Sequence, residues 1–194
     1  MVLGVVVGLV SGYFGGWIDA VLARLVDVVL SLPFLLLAIA LVSITGPSLT
    51  VTILVIGFFS WASVARIVRG QVLSIRERDY VASARALGER PVRIMFVEIL
   101  PNVIAQVIVY ATLLIPVVIV TQATLSYLGL GLAPPTADWG GMLSEAQGYY
   151  TTSWWFIAFP GAALLTTTLA FNLFGDGVRD AFDPRSDQLL GTWR

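Results

Sequence analysis

Residues 79–101 read DYVASARALGERPVRIMFVEILP, a short and fairly polar insert in an otherwise very apolar chain. Asp79 suits a helix N-cap, where its carboxylate accepts hydrogen bonds from the free N–H groups of the first turn. Tyr80 to Leu87 favours helix, and Ala82, Ser83, Ala84 and Ala86 within it are all small. Gly88 suits the left-handed position that closes a helix, and Pro91 stops the helix from continuing. Arg85 and Glu89 stand one turn apart and can pair across an exposed surface. The stretch therefore predicts about two turns of helix, closed at both ends. Its side chains are too small for an ordinary amphipathic helix and would let another body approach the backbone closely. It reads as a docking helix.

The rest of the chain supplies the setting. Of 194 residues, 58% are hydrophobic and only 12% charged, and the mean hydropathy is +0.90. That charged share is about half the usual value for a soluble domain. So much apolar surface exceeds what a soluble core can hide, and lipid requires each spanning segment to satisfy its own backbone groups. The predicted fold class is all-α: a polytopic helical membrane protein. It has about four full spans, a short N-terminal apolar segment and the docking helix. Residues 1–194 read as one transmembrane domain containing two loops, 79–101 and 126–153. The alternating pattern of a membrane β-barrel is absent.

Composition also narrows the chemistry. The chain has no cysteine and no histidine, and its 11 basic residues are all Arg. Disulfides, thiolate and imidazole metal sites, a catalytic Cys and any Ser–His arrangement are excluded. A zinc protease motif of the His-Glu-x-x-His kind is impossible, and without Lys so is a Walker A loop. No cofactor is implied, and the chain does not read as an enzyme. A net charge of −1 gives no bulk attraction to nucleic acid.

Taken in order, residues 1–10 are apolar but too short to cross about 30 Å of hydrocarbon. They lack the basic start and small-residue cleavage site of a signal peptide. Gly12 to Trp17 (GYFGGW) reads as a turn near an interface. Asp19 to about Ile44 is the first full span, with Arg24 and Asp27 near its start, able to pair with each other, and a kink at Pro33. Val51 to about Val68 is the second, ending on Arg66 and Arg69. Ile99 to about Leu125 is the third, with Pro116 inside it. Its polar groups either bond neighbouring helices or face a wet pathway; Gln106, Tyr110 and Gln122 are the pathway candidates. Residues 126–153 form a long loop with a short helix from about Gly141 to Gln147. Trp154 to about Phe174 is the fourth span, entered through Tyr149, Tyr150, Trp154 and Trp155. Gly175-Asp176-Gly177 reads as a helix-terminating turn, since calcium needs six or more oxygen ligands.

The docking stretch resembles the loop signature of permease subunits of prokaryotic ABC importers: Glu-Ala-Ala, three residues, Gly, then Leu-Pro about a dozen positions on. Here Ala82-Ser83-Ala84, Gly88 and Leu100-Pro101 stand at those places. The neighbouring Tyr80-Val81, Arg85-Ala86-Leu87-Gly88 and Ile99-Leu100-Pro101-Asn102 are most similar to the dipeptide/oligopeptide/nickel class. The resemblance to the family continues through Leu128-Gly129-Leu130-Gly131, Pro134-Pro135, Trp139-Gly140 and Met142-Leu143, and through the Gly175–Asp180 stretch and Asp183-Pro184-Arg185. The resemblance implies that Asp79, Tyr80, Ala82, Ser83, Ala84, Arg85, Ala86, Leu87 and Gly88 form a coupling helix seated in a cytoplasmic ATPase subunit. It also implies a second permease subunit, an extracytoplasmic solute-binding protein on the 126–153 side, and a peptide or a related small solute such as nickel. The usual acidic residue of the triplet is Ala82 here, so a carboxylate at that contact would come from Asp79 or Glu77. In the family a whole helix and an external segment usually precede the Gly-Tyr-aromatic-Gly-Gly stretch, so the chain reads as N-terminally short.

Orientation is an independent check. Residues 46–50 and 128–153 contain no Arg, and every Arg falls at position 24, between 66 and 93, or from 179 onward. The positive-inside rule then places the docking helix and the C-terminus in the cytoplasm, and the resemblance implies that the chain is multi-pass in the inner membrane of a prokaryotic cell. The rivals are an ATPase-independent transporter or channel and an inactive truncated permease acting as an assembly partner. The first commonly carries coupling carboxylates at the midplane, and no acidic residue falls mid-span here.

Overall fold

A computed structural model describes residues 1–133 and 135–182. Pro134, Asp183, Pro184 and Arg185, used in the resemblance above, lie outside the described residues. Among the described residues all regular structure is helical. The helices are α1 (Val2–Phe14), α2 (Gly16–Ser31), α3 (Phe34–Thr45), α4 (Leu49–Ile75), α5 (Asp79–Ala86), α6 (Pro91–Arg93), α7 (Leu100–Tyr127), α8 (Trp139–Ala146) and α9 (Trp155–Phe182). A π turn over Ile94–Ile99 joins α6 to α7, so Pro91–Tyr127 runs as one helix of 37 residues.

Three of these helices are long and apolar enough to cross a membrane: Leu49–Ile75, Pro91–Tyr127 and Trp155–Phe182. The first expected span, Asp19 to about Ile44, is broken. Gly16–Ser31 and Phe34–Thr45 meet at 74°, and together they pass the same test. The break falls where the sequence places it. Leu32 is extended (φ −71°, ψ 129°) because Pro33 clashes with a helical predecessor and offers no N–H.

The chain divides into two compact units, Met1–Leu36 with Gly57–Ile108, and Leu37–Ile56 with the chain from Val109 onward. In the first, α1 and α4 lie parallel, with glycines on one meeting valines on the other. A Cβ on Gly8 would stand 2.7 Å from that of Val68, and one on Gly12 2.7 Å from that of Val72. Gly4 meets Trp61 and Val64 in the same way. Glycine every fourth residue keeps one face of α1 bare, so backbone packs on the Val64, Val68 and Val72 ridge. Val26 on α2 joins Ala62 and Ala65 in a buried cluster ringed by Val7, Val29, Leu30 and Trp61.

α1 also corrects the expected turn at residues 12–17. The helix runs on through Phe14, and the chain changes direction only at Gly15 and Gly16, with φ of 64° and 55°. Packing of Gly12 against Val72 holds that last turn helical where propensity alone would release it.

In the second unit, α8 packs on α9, and Gly140 sits directly on the backbone of Ala123 in α7. Asp138 caps α8, its carboxylate accepting from the Gly141 N–H at 3.0 Å, so the loop helix begins two residues before its expected start. The expected turn at Gly175-Asp176-Gly177 is also corrected. These residues are helical, and Gly175 is buried with Leu113 of α7 against it. Tertiary packing overrides the weak helix propensity of the glycines.

Candidate functional site

The expected docking helix corresponds to α5, which covers the expected residues with its start shifted by one. Arg78 is the N-cap, extended at φ −77° and ψ 150°, and its carbonyl accepts from Val81 and Ala82 at 3.0 and 3.1 Å. Asp79 is the first helical residue rather than the cap, and its side chain makes no capping bond. Its charge in the first turn still complements the helix dipole. The far end matches expectation. Gly88 adopts φ 77°, its N–H bonds to the Arg85 carbonyl, and the Glu89 N–H reaches the Ala84 carbonyl at 3.2 Å. That pair of bonds is a Schellman closure, which calls for a left-handed residue and hence favours glycine. Pro91 then opens α6 behind an extended Arg90.

Val81 and Ala84 are buried, and α5 packs through them onto the Ile94–Ile99 turn. At 100° per residue, Asp79, Ala82, Ser83 and Ala86 fall on the opposite face, and all four are exposed. The Ser83 hydroxyl turns back to donate to the Asp79 carbonyl at 2.8 Å. The outward face is therefore small and nearly apolar, with one carboxylate, Asp79, three residues before Ala82. Leu87, 83% exposed, projects at the end of the helix, and Tyr80 is also exposed. Ala84 is the exception among the expected contact residues: it faces inward and anchors the helix.

The expected pairing of Arg85 with Glu89 is replaced by two other contacts. Arg85 lies over the Tyr13 ring, 5.9 Å from its centroid, and Glu89 faces Arg93 at 3.6 Å. Arg76 donates to the Gly12 carbonyl at 3.0 Å and pairs with Glu77. The end of α1 thus supports α5 and the linker before it.

Asp27 pairs with Arg66 of α4 at 2.7 Å, not with Arg24 as the spacing along α2 suggested. Asp19 accepts two bonds from Arg69, one at 2.7 Å, and a third from Ser11. These cross-helix pairs were missed by sequence reasoning. The signal for them was present: α4 carries Arg66 and Arg69 with no acidic residue of its own, so their partners had to come from elsewhere.

Of the pathway candidates, Gln106 is exposed and Tyr110 half-buried, one turn apart along α7. Gln122 stands about 120° round the helix from Tyr110. Its amide donates to the Ser126 hydroxyl at 3.0 Å. The structure does not bring it onto the face that Gln106 and Tyr110 share.

A family model described as "Binding-protein-dependent transport system inner membrane component" matches residues 4–188. The chain is 45% identical over 185 residues to a dipeptide transport system permease protein, DppC, of Haemophilus influenzae, covering 95% of this chain and 63% of that protein. It is 42% identical to a di/tripeptide transport system permease protein, DppC, of Pseudomonas aeruginosa, covering 95% of this chain and 61% of that one. It is 40% identical to a glutathione transport system permease protein, GsiD, of Pectobacterium atrosepticum, at 95% and 62% coverage. The chain thus spans about three-fifths of the length of these curated relatives.

Proposed function

The chain belongs to the family of binding-protein-dependent transport system inner membrane components, and from that premise we propose that it is the permease subunit of an ATP-driven importer of short peptides. The observation that carries the coupling half of this reading is α5. It is a two-ended, closed helix, anchored by Val81 and Ala84, with a small outward face of Asp79, Ala82, Ser83 and Ala86. Such a face fits a groove in a partner, because small side chains let the helix backbone sit close to the groove wall. Tyr80, Arg85, Leu87 and Gly88 complete the contact, and Asp79 supplies the carboxylate that Ala82 lacks. ATP is hydrolysed by that partner, and movement of α5 is transmitted to the spans. The Arg distribution favours a cytoplasmic α5 and C-terminus.

The peptide half rests on the relatives. Dipeptides, di- and tripeptides and glutathione share a peptide-bonded backbone with charged ends. Gln106 and Tyr110 offer a neutral amide and a phenol along α7, suited to hydrogen-bonding such a backbone without trapping it. A second permease subunit would complete the path, and an extracytoplasmic binding protein would deliver solute to the 126–153 side.

Reconstitution with the cognate ATPase, second permease and binding protein tests the whole reading. ATP is expected to drive uptake of a labelled dipeptide, with unlabelled dipeptide competing and free amino acids failing to compete. Uptake that proceeds equally without ATP would instead favour an ATPase-independent transporter.

A further inference from the structure

The docking helix and the linker that precedes it are each tied to the end of α1 at one point. Arg76, just beyond α4, holds the Gly12 carbonyl at 3.0 Å. Arg85, on α5, lies 5.9 Å from the Tyr13 ring centroid, within cation–π range. Between the two ties is an open groove of about 400 Å³ whose lining includes Tyr13, Arg76, Glu77 and Arg85.

Two further features determine what these ties can do. The glycine face of α1 is keyed onto Val64, Val68 and Val72, so α1 cannot slide along α4 without steric conflict. Asp19, in the first turn of α2, is bonded both to Ser11 on α1 and to Arg69 on α4. A displacement of α5 therefore reaches the α1–α2 junction through side chains as well as along the backbone. We infer that Tyr13 and Arg85 are positioning residues that make the last turn of α1 and the first turn of α2 follow the docking helix as one body. The inference rests on the reading of α5 as the ATPase contact.

The experiment uses the assembled transporter in liposomes, with the Ser83→Cys cross-link to the ATPase read first in the otherwise unaltered chain. Tyr13→Leu is expected to lower the solute moved per ATP about fivefold or more, while the cross-link and ATP hydrolysis persist. Tyr13→Phe keeps the ring face and should restore the ratio. A ratio unchanged by Tyr13→Leu overturns the inference.

A second measurement does not depend on that variant assembling. Nitroxides at Ala20→Cys and Arg90→Cys, both exposed positions outside the outward face of α5, should report the same distance with and without nucleotide. A distance that changes with nucleotide overturns the single-body claim. Loss of the Ser83→Cys cross-link in the parent chain overturns the coupling reading itself, and is recognised before any Tyr13 variant is examined.

Discussion

Gly88 and Gly8 show two distinct demands on a residue without a side chain. At Gly88 the demand is conformational: φ is 77°, and nothing lies within 4 Å of where a Cβ would be. Gly88→Val should therefore destabilise the closure by about 1–2 kcal/mol, the penalty of a left-handed L-residue. Faster hydrogen exchange confined to residues 80–89 would show it. At Gly8 the demand is steric, with the Ala65 carbonyl and Val68 in the way. Gly8→Leu should cost about 1–3 kcal/mol or more through overpacking, read as a lowered midpoint of thermal unfolding in detergent. Gly57→Leu, on an open side of α4, should leave that midpoint nearly unchanged. Asp19→Asn removes a charged acceptor from Arg69 and should cost about 1.5–3 kcal/mol. Combined with Arg69→Gln, the loss should be less than the sum of the two single changes. Gly88 was legible in the sequence, because a Gly that ends a small-residue run three positions before Pro91 has few other uses. Asp19–Arg69 was not, because ion pairs between helices depend on which faces meet, and spacing along one helix says nothing of that.

At the level of elements, the short helix α5 was legible in existence and nearly in extent. Its start moved by one residue because the extended conformation required before the first turn fell on Arg78. The Pro33 break was equally plain, since its cause is local. Helix ends set by packing were not. α4 continues to Ile75 and α9 to Phe182, past the positions where hydropathy falls, because a helix need not stop where the apolar pattern does. The outward face of α5 was only half-legible: smallness could be read off, but that Ala84 faces inward and Ser83 outward required the helix to be placed against Ile94–Ile99. This face gives a prediction at its own scale. Ala86→Trp should reduce ATP-driven uptake about tenfold or more, as a bulky group blocks close approach. The chain's abundance in the membrane should stay unchanged, because Ala86 is exposed. Arg90→Gln, exposed beyond the helix, should leave uptake near the parental level.

The whole molecule leaves long apolar helices largely uncovered, Trp155–Phe182 most of all. Lipid would cover such surface, which water would not tolerate. The class of protein was legible from composition alone. The division into two units was not, since long helices pass through both and no change in composition marks where one unit gives way to the other. That α5 faces the cytoplasm and seats in an ATPase can be tested directly, because the chain has no native cysteine. Single cysteines at Ser83 and Thr136 would be labelled in intact cells with a membrane-impermeant thiol reagent. The Ser83→Cys chain would then be cross-linked to a co-expressed ATPase carrying one groove cysteine. Labelling is expected at position 136, protection at position 83, and a cross-link whose yield changes with nucleotide. Labelling at position 83 from outside, or a correctly oriented chain that yields no cross-link, would contradict it.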